Sequence, residues 1–299
     1  MPSCAVQSAG RREDQPRFEL SSAALLFVPT AFLAFLFIGP IVYALYLGFT
    51  NLQLVGPHAQ HWWFTGLANI HRLLNDRIFV QSVWLTLIFV VGSGIIGQTL
   101  IGLILALLMR SALPPLRLSV GALVVTAWVI PEITAAFIWY AFSQAGGTVG
   151  IILHSPETNF LFSAPMTTVS VANLWRGTAF SMLVFSAALR NLPAEVLEAA
   201  EVEGASRFQQ LFSVTLPLLL PTIVTNLLLV TILNLSDFTL IYTLTQGGPG
   251  TSTMTLPIYI YQEAFTYYEL GYGTTISLVL ILIGAVLSLL FVRQVSSTR

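Results

Sequence analysis

EAAEVEGASRFQQLFSVTLP, residues 198–217, is a polar, acidic segment set between two long apolar runs, 167–189 and 218–244. Upstream of it, Pro193 suits the first turn of a helix, and Glu195 close behind favours the positive end of the helix dipole. A short helix is predicted to run to about Glu203 and to stop at Gly204, whose missing side chain permits a sharp turn. Ser206 with Gln209 fits a capping box that starts a second short helix containing Phe208, Leu211 and Phe212, ended by Pro217. The expected shape is helix, glycine corner, helix, lying at a membrane surface. Two roles fit it: a surface handled by a partner outside the membrane, or an interfacial connection that only links two spans.

The runs on either side belong to a set of six apolar stretches long enough to cross roughly 30 Å of hydrocarbon. They lie at about 22–49, 80–108, 119–142, 167–189, 218–244 and 272–292. Composition agrees: 56% of residues are hydrophobic and 8% charged, with a mean hydropathy of +0.82, so a water-exposed fold of this length could not cover itself with polar groups. The expected fold class is an all-α polytopic membrane protein: a segment 1–21, a six-helix domain 22–293 containing the loop 191–217, and a tail 294–299. The first span is too long for a signal-peptide core, and Glu13 and Asp14 directly after Arg11 and Arg12 argue against a twin-arginine signal.

All twelve basic residues are arginine. With the amino terminus in the cytoplasm, Arg11, Arg12, Arg17, Arg110, Arg117, Arg190, Arg207, Arg293 and Arg299 fall on the cytoplasmic side and only Arg72 and Arg77 on the outer side. That bias places both termini and the loop 191–217 in the cytoplasm. The lack of lysine excludes a P-loop, so this chain is expected to bind no nucleotide. Cys4 stands alone, which excludes an internal disulfide. A net charge of -1 without a basic patch gives no sign of a nucleic-acid partner.

Three ionisable residues fall inside the predicted spans: Glu132, Arg176 and Asp237. Such groups normally face a bundle interior or a wet cavity. Trp175 precedes Arg176, and Asn234 lies one turn before Asp237. Aromatic faces against sugar rings and planar polar groups against hydroxyls suit a carbohydrate, so Trp175, Arg176, Asn234 and Asp237 form the candidate substrate pathway. The alternative is that Arg176 and Asp237 only pair with each other or with neighbouring helices. Glu132 next to Pro131 reads first as a structural group serving a loosened helix. Gly92, Gly94, Gly97 and Gly102 are expected to let the second span pack closely. His58, His61 and His71 have no tight metal spacing and, with Trp62 and Trp63, suit an interfacial belt.

The central loop resembles the EAA signature of inner-membrane permease subunits of ATP-binding-cassette importers, supplied here by Glu198, Ala199, Ala200, Gly204, Leu216 and Pro217. Glu203 stands where the family usually has Asp, which keeps the charge. A second segment, SDFTLIYTLTQGGPGTSTMTLPIYIYQEAF (236–265), resembles the carbohydrate-uptake permeases of maltose and glycerol-3-phosphate type, and Gly247-Gly248-Pro249 is the pattern of the first of the two permease halves. The resemblance implies a bacterial inner-membrane importer subunit and a second permease in a pseudo-symmetric heterodimer. It also implies a cytoplasmic ATPase dimer carrying ATP and Mg2+, and an extracytoplasmic binding protein that docks on the outer loops 51–79, 143–166 and 245–271. In that family the EAA helix docks in a groove of the ATPase; Glu198 would lie near basic partner groups, with Ala199, Ala200 and Gly204 providing the small surface. The substrate would be a sugar or sugar derivative. The competing class is an ion-coupled secondary transporter, which should show internal repeats that this chain lacks. An intramembrane enzyme would need a nucleophile or metal constellation that the spans do not contain.

Overall fold

The computed structural model describes residues 20–297, with side chains from 26 to 293. Residues 1–19, which carry Cys4, Arg11, Arg12, Arg17 and most of the expected segment 1–21, lie outside the described residues, as do 298–299 at the end of the tail. Regular structure among the described residues is helical, with one isolated antiparallel bridge, Thr50 to Phe64. The chain separates into two units, residues 1–46 and 47–299. In the first, α1 (Leu20–Leu47) runs unbroken through Pro29 and Pro40.

In the second unit, α2 is the continuous helix Arg77–Ser111. Then come α3 (Pro114–Val129), α4 (Glu132–Ser143), α5 (Pro165–Arg190) and α6 (Ala194–Val202). They are followed by α7, continuous over Arg207–Leu235. The unit closes with α8 (Thr239–Thr245), α9 (Leu256–Tyr261) and α10 (Leu270–Ser297). Among the described residues four helices are long and apolar enough to cross a membrane, or up to six if each of two bent pairs counts as one span.

Two expected spans are not single helices. The stretch 119–142 is not one helix: α3 and α4 meet at 104°. Ile130 takes the extended backbone that a following proline imposes (φ -58, ψ 130), and Pro131 has no N–H with which to continue the helix. The stretch 218–244 likewise ends early, because Ser236 turns its hydroxyl back to the carbonyls of Ile232 and Leu233 (3.1 and 3.3 Å) and closes α7 at Leu235. Asp237 therefore sits in a break before α8 and not within a helix. The other end of α7 reaches further than expected. Pro217 does not stop a short helix, since a widened i→i+5 turn over Gln210–Thr215 carries the helix past it into α7.

Helices that meet inside a bilayer gain little from the hydrophobic effect, so close packing and polar contacts hold them. Glycines of α2 supply the approach. A Cβ at Gly94 would stand 2.9 Å from Asn234 Nδ2, and one at Gly102 2.5 Å from the Cβ of Ser181. Gly97 faces Leu174 in the same way, but Gly92 meets nothing within 4 Å and takes no part. Two polar layers stitch α2, α5 and α7 together. In one, Asn226 Nδ2 donates to Thr99 Oγ1 (3.2 Å) and Ser181 Oγ (3.1 Å). In the other, Asn234 Oδ1 accepts from Gln98 Nε2 (3.3 Å) and from Asn173, which also donates to Ser93 Oγ (2.8 Å). Apolar packing fills both sides, around Phe89, Leu240 and Ile276 at one end and Phe185, Met182 and Leu219 at the other.

The connections at the end opposite Arg110 and Arg190 are tied down as well. Asp76 caps α2 by accepting from the amides of Ile78 (2.8 Å) and Phe79 (3.3 Å), while its other oxygen accepts from the hydroxyls of Tyr259 and Tyr272. Partial burial works against its ionisation, yet the tyrosine and amide donors prevail and hold its pKa below the usual carboxylate value. Arg72 pairs with Glu263 (3.5 Å) and Glu269 and lies 3.9 Å over the Tyr272 ring. A carboxyl with a depressed pKa stabilises the fold fully above its ordinary value near pH 4, and that contribution disappears as pH falls through the depressed value. Asp76→Ala is accordingly expected to cost about 0.5–2 kcal/mol of stability at pH 7. The thermal midpoint of the variant should lie below wild type at pH 7, with the gap closing as pH drops below about 4. Identical midpoints at pH 7 would refute the assigned role.

Candidate functional site

Two regions stand out, one polar cluster within the bundle and one exposed loop at its end. The cluster forms because both helix breaks deliver an acid. Glu132 is the first residue of α4, placed by the Pro131 break, and Asp237 occupies the gap between α7 and α8. Arg176, midway along α5, binds Glu132 with Nη2 to Oε1 at 2.8 Å. The partner of Arg176 is thus Glu132 on the neighbouring α4 and not Asp237, which lies in electrostatic range of both groups without an ion pair to Arg176. Buried Arg176 Nε and Asp237 Oδ1 each lack a hydrogen-bond partner among the described residues. One guanidinium thus faces two carboxylates, leaving polar capacity in a setting where such groups are costly.

Aromatic rings border this cluster. Trp175, 38% exposed, meets Trp139 of α4 edge to face at 6.2 Å, and Trp139 in turn meets Phe142. Immediately after Asp237, Phe238 stacks on Tyr242 at 4.9 Å, and both contact Tyr261, which leads on to Phe265. The pattern Phe238, Tyr242, Tyr261, Phe265 was not singled out in the sequence, although the spacing of four within each pair is that of one helix face. Asn234 is placed differently from its three companions. Only 5% exposed, it spends its Oδ1 on Gln98 and Asn173 and its Nδ2 on the carbonyl of Val230 (2.7 Å), so it fixes the end of α7 from which Asp237 departs. Gln98 and Asn173, its partners, were likewise missed, because a lone amide in an apolar run carries no mark of its partner.

The exposed loop follows its sequence signals closely. Pro193 is the N-cap of α6, one position before the helix, and α6 leaves α5 at 72°. None of its residues is buried, and Glu198 and Ala199 face outward. The helix closes in a Schellman arrangement: Ala205 N donates to Ala200 O and Gly204 N to Glu201 O, both at 3.0 Å. Gly204 has φ +81, the left-handed region that a side chain resists, and the space beside it is open to 4 Å. Ser206 and Gln209 then form the reciprocal capping box, Ser206 N to Gln209 Oε1 at 2.8 Å and Gln209 N to Ser206 Oγ at 3.4 Å. Val202, Phe208 and Phe212 are exposed at 89%, 76% and 63%, an apolar surface beside the acidic helix. Leu216 is half-buried and Pro217 exposed.

The helix that begins at this corner is the one that ends at the cluster. α7 has 29 residues and at 1.5 Å per residue spans about 43 Å. α7 thus runs from Arg207, three residues past the Gly204 corner, to Leu235, two residues before Asp237.

Known proteins resemble this chain in sequence and in fold. The chain is 33% identical over 288 residues to a sulfoquinovosyl glycerol transport system permease protein of Agrobacterium fabrum, covering 91% of this chain and 89% of that one. It is 36% identical over 219 residues to a trehalose/maltose transport system permease protein of Thermococcus litoralis, covering 70% and 72% respectively. The fold is similar to a chain in the crystal structure of a bacterial alginate ABC transporter in complex with an alginate pentasaccharide-bound periplasmic protein, with a TM-score of 0.76 over 91% of this chain and 92% of that one at 22% identity. Residues 98–299 match the family described as binding-protein-dependent transport system inner membrane component, and with two thirds of its length inside that match this chain, a multi-pass membrane protein, belongs to that family of ABC importer permeases.

Proposed function

We propose that this permease carries a sugar or sugar-derived solute inward across a bacterial inner membrane, driven by a separate ATPase subunit that holds ATP and Mg2+. The observation that carries the mechanism is the unbroken α7, which connects the exposed EAA corner to the break bearing Asp237. In this reading the membrane domain has six spans, α3 with α4 making the third and α7 with α8 the fifth. The arginine bias puts both termini and the loop 191–217 in the cytoplasm. Glu198, Ala199, Ala200 and Gly204 meet the ATPase, Leu216 and Pro217 join the corner to the rod, and a second permease completes the pathway. An extracytoplasmic binding protein delivers the solute to the opposite end.

Relatives named for sulfoquinovosyl glycerol and for trehalose and maltose support a glycoside substrate. Trp175, Arg176, Asn234 and Asp237 mark the pathway: the indole for a sugar face, the charged groups of Arg176 and Asp237 for hydroxyls, and Asn234 to set the helix end beneath them. The test is ATP-driven uptake of labelled disaccharides and glycosyl glycerols into liposomes holding the whole complex and its binding protein. Trp175→Ala and Arg176→Gln should each lower uptake on the order of tenfold, matching the loss of one good contact. Asn234→Ala should chiefly lower thermal stability, by about 1–3 kcal/mol, through the donors it strands on Gln98 and Asn173. Wild-type uptake in both the Trp175 and the Arg176 variants would rule out the pathway.

A further inference from the structure

Where α2, α3, α5 and α6 converge, the bundle holds a cavity of about 850 Å³ that the transport reading does not use. Its walls are apolar, including Ala106, Met109, Leu118, Val125, Met182 and Leu189. Three arginines line it as well: Arg110 in the last turn of α2, Arg117 in the first turn of α3, and Arg190 at the end of α5. Each stands where a membrane helix reaches the boundary. Arg117 is steadied by donating to the carbonyls of Arg110 and Ala112, both at 3.1 Å, which cap the end of α2. No carboxylate lies within 4.0 Å of any of the three among the described residues.

We propose that this cavity binds an anionic phospholipid, its phosphate held by Arg110, Arg117 and Arg190 and an acyl chain lying along the apolar wall. The two halves of such a molecule have the two chemistries of the cavity at the same depth, charge at the boundary and hydrocarbon beneath it. A soluble anion would leave the apolar wall unmatched, and a covering protein segment would need buried acids to meet three cations. Leu192, Ala194 and Leu197 also line the cavity, so the lipid would touch the 72° joint between α5 and α6. The site would thereby tie the orientation of the coupling helix to the charge of the surrounding leaflet. This step rests on the proposed orientation and coupling role.

The experiment is native mass spectrometry of the complete, delipidated transporter titrated with phosphatidylglycerol, phosphatidylcholine or inorganic phosphate. Phosphatidylglycerol should be retained in preference to phosphatidylcholine on the order of tenfold, and the combined Arg110→Gln, Arg117→Gln, Arg190→Gln variant should lose that preference. Gly121→Phe keeps every arginine and points its ring into space where a Cβ meets nothing within 4 Å. It should displace the lipid by filling the cavity, whereas Arg77→Gln at the opposite end should change nothing. Equal retention of the two lipids, displacement by inorganic phosphate alone, or unaltered retention in both the Gly121 and the arginine variants would overturn the proposal. So would cross-linking of a cysteine at position 121 to the second permease in the native membrane. Binding is read without transport, so lipid retention as expected in a complex that imports no solute would support this site while overturning the transport reading.

Discussion

Replacing Gly102 by leucine is expected to prevent stable assembly of the bundle, with a large fall in the thermal midpoint and in the yield of folded protein. The reason is the closeness of α2 to α5. A Cβ at position 102 would be 2.5 Å from the Cβ of Ser181 and 2.9 Å from the backbone nitrogen of Met182. Backbone cannot swing aside as a long side chain can, so the helices must separate. Overpacking of this kind costs typically 1–3 kcal/mol. Separation would also pull Ser181 and Thr99 away from Asn226, each lost hydrogen bond adding about 1 kcal/mol. Gly92→Leu is the matched control, since nothing lies within 4 Å of that position. Thermal unfolding followed by size-exclusion chromatography in detergent compares the two directly. Equal midpoints would show that the glycine face is not what holds α2 to α5.

The same glycines show how far the sequence could be read. Gly92, Gly94, Gly97 and Gly102 were legible as small residues in one apolar span, but which of them pack was not, since the partners of Gly94, Gly97 and Gly102 come from α5 and α7, tens of residues away. The coupling loop was the most legible part, because Pro193, Gly204, Ser206 and Gln209 act through neighbours within a few residues. Each landed within one position of its predicted role. Pro217 was misread as a stop for the opposite reason. A proline inside a helix is tolerated when the preceding turn can widen, and the widening over Gln210–Thr215 has no local sequence mark.

The polar cluster shows the same division. Glu132, Arg176 and Asp237 were recognisable one by one, since charge in an apolar run stands out. Their pairing depended on where the helices broke. Pro131 puts Glu132 at the start of α4, within reach of Arg176, and Ser236 puts Asp237 outside α7. A straight-span reading of both stretches could not say which acid Arg176 would meet.

The second large effect is expected at Gly204. At φ +81 a leucine is strained by about 1–2 kcal/mol, yet the space beside it is open, so the membrane bundle should survive the change. What should fail is the fit of α6 against the ATPase, and with it the drive along α7. Gly204→Asn separates strain from bulk, because asparagine tolerates the left-handed region while still adding a side chain. If the partner's surface approaches the bare corner, both variants should uncouple; if conformation alone matters, only leucine should.

The most direct measurement is substrate-stimulated ATP hydrolysis by the complete complex, with its binding protein, reconstituted with Gly204→Leu. The account predicts a protein that still inserts and folds, with the stimulated rate and uptake reduced by at least about tenfold, the loss of 1.4 kcal/mol or more of coupling. Full stimulation and uptake at the wild-type rate would contradict it, because α7 would then carry no signal from that corner.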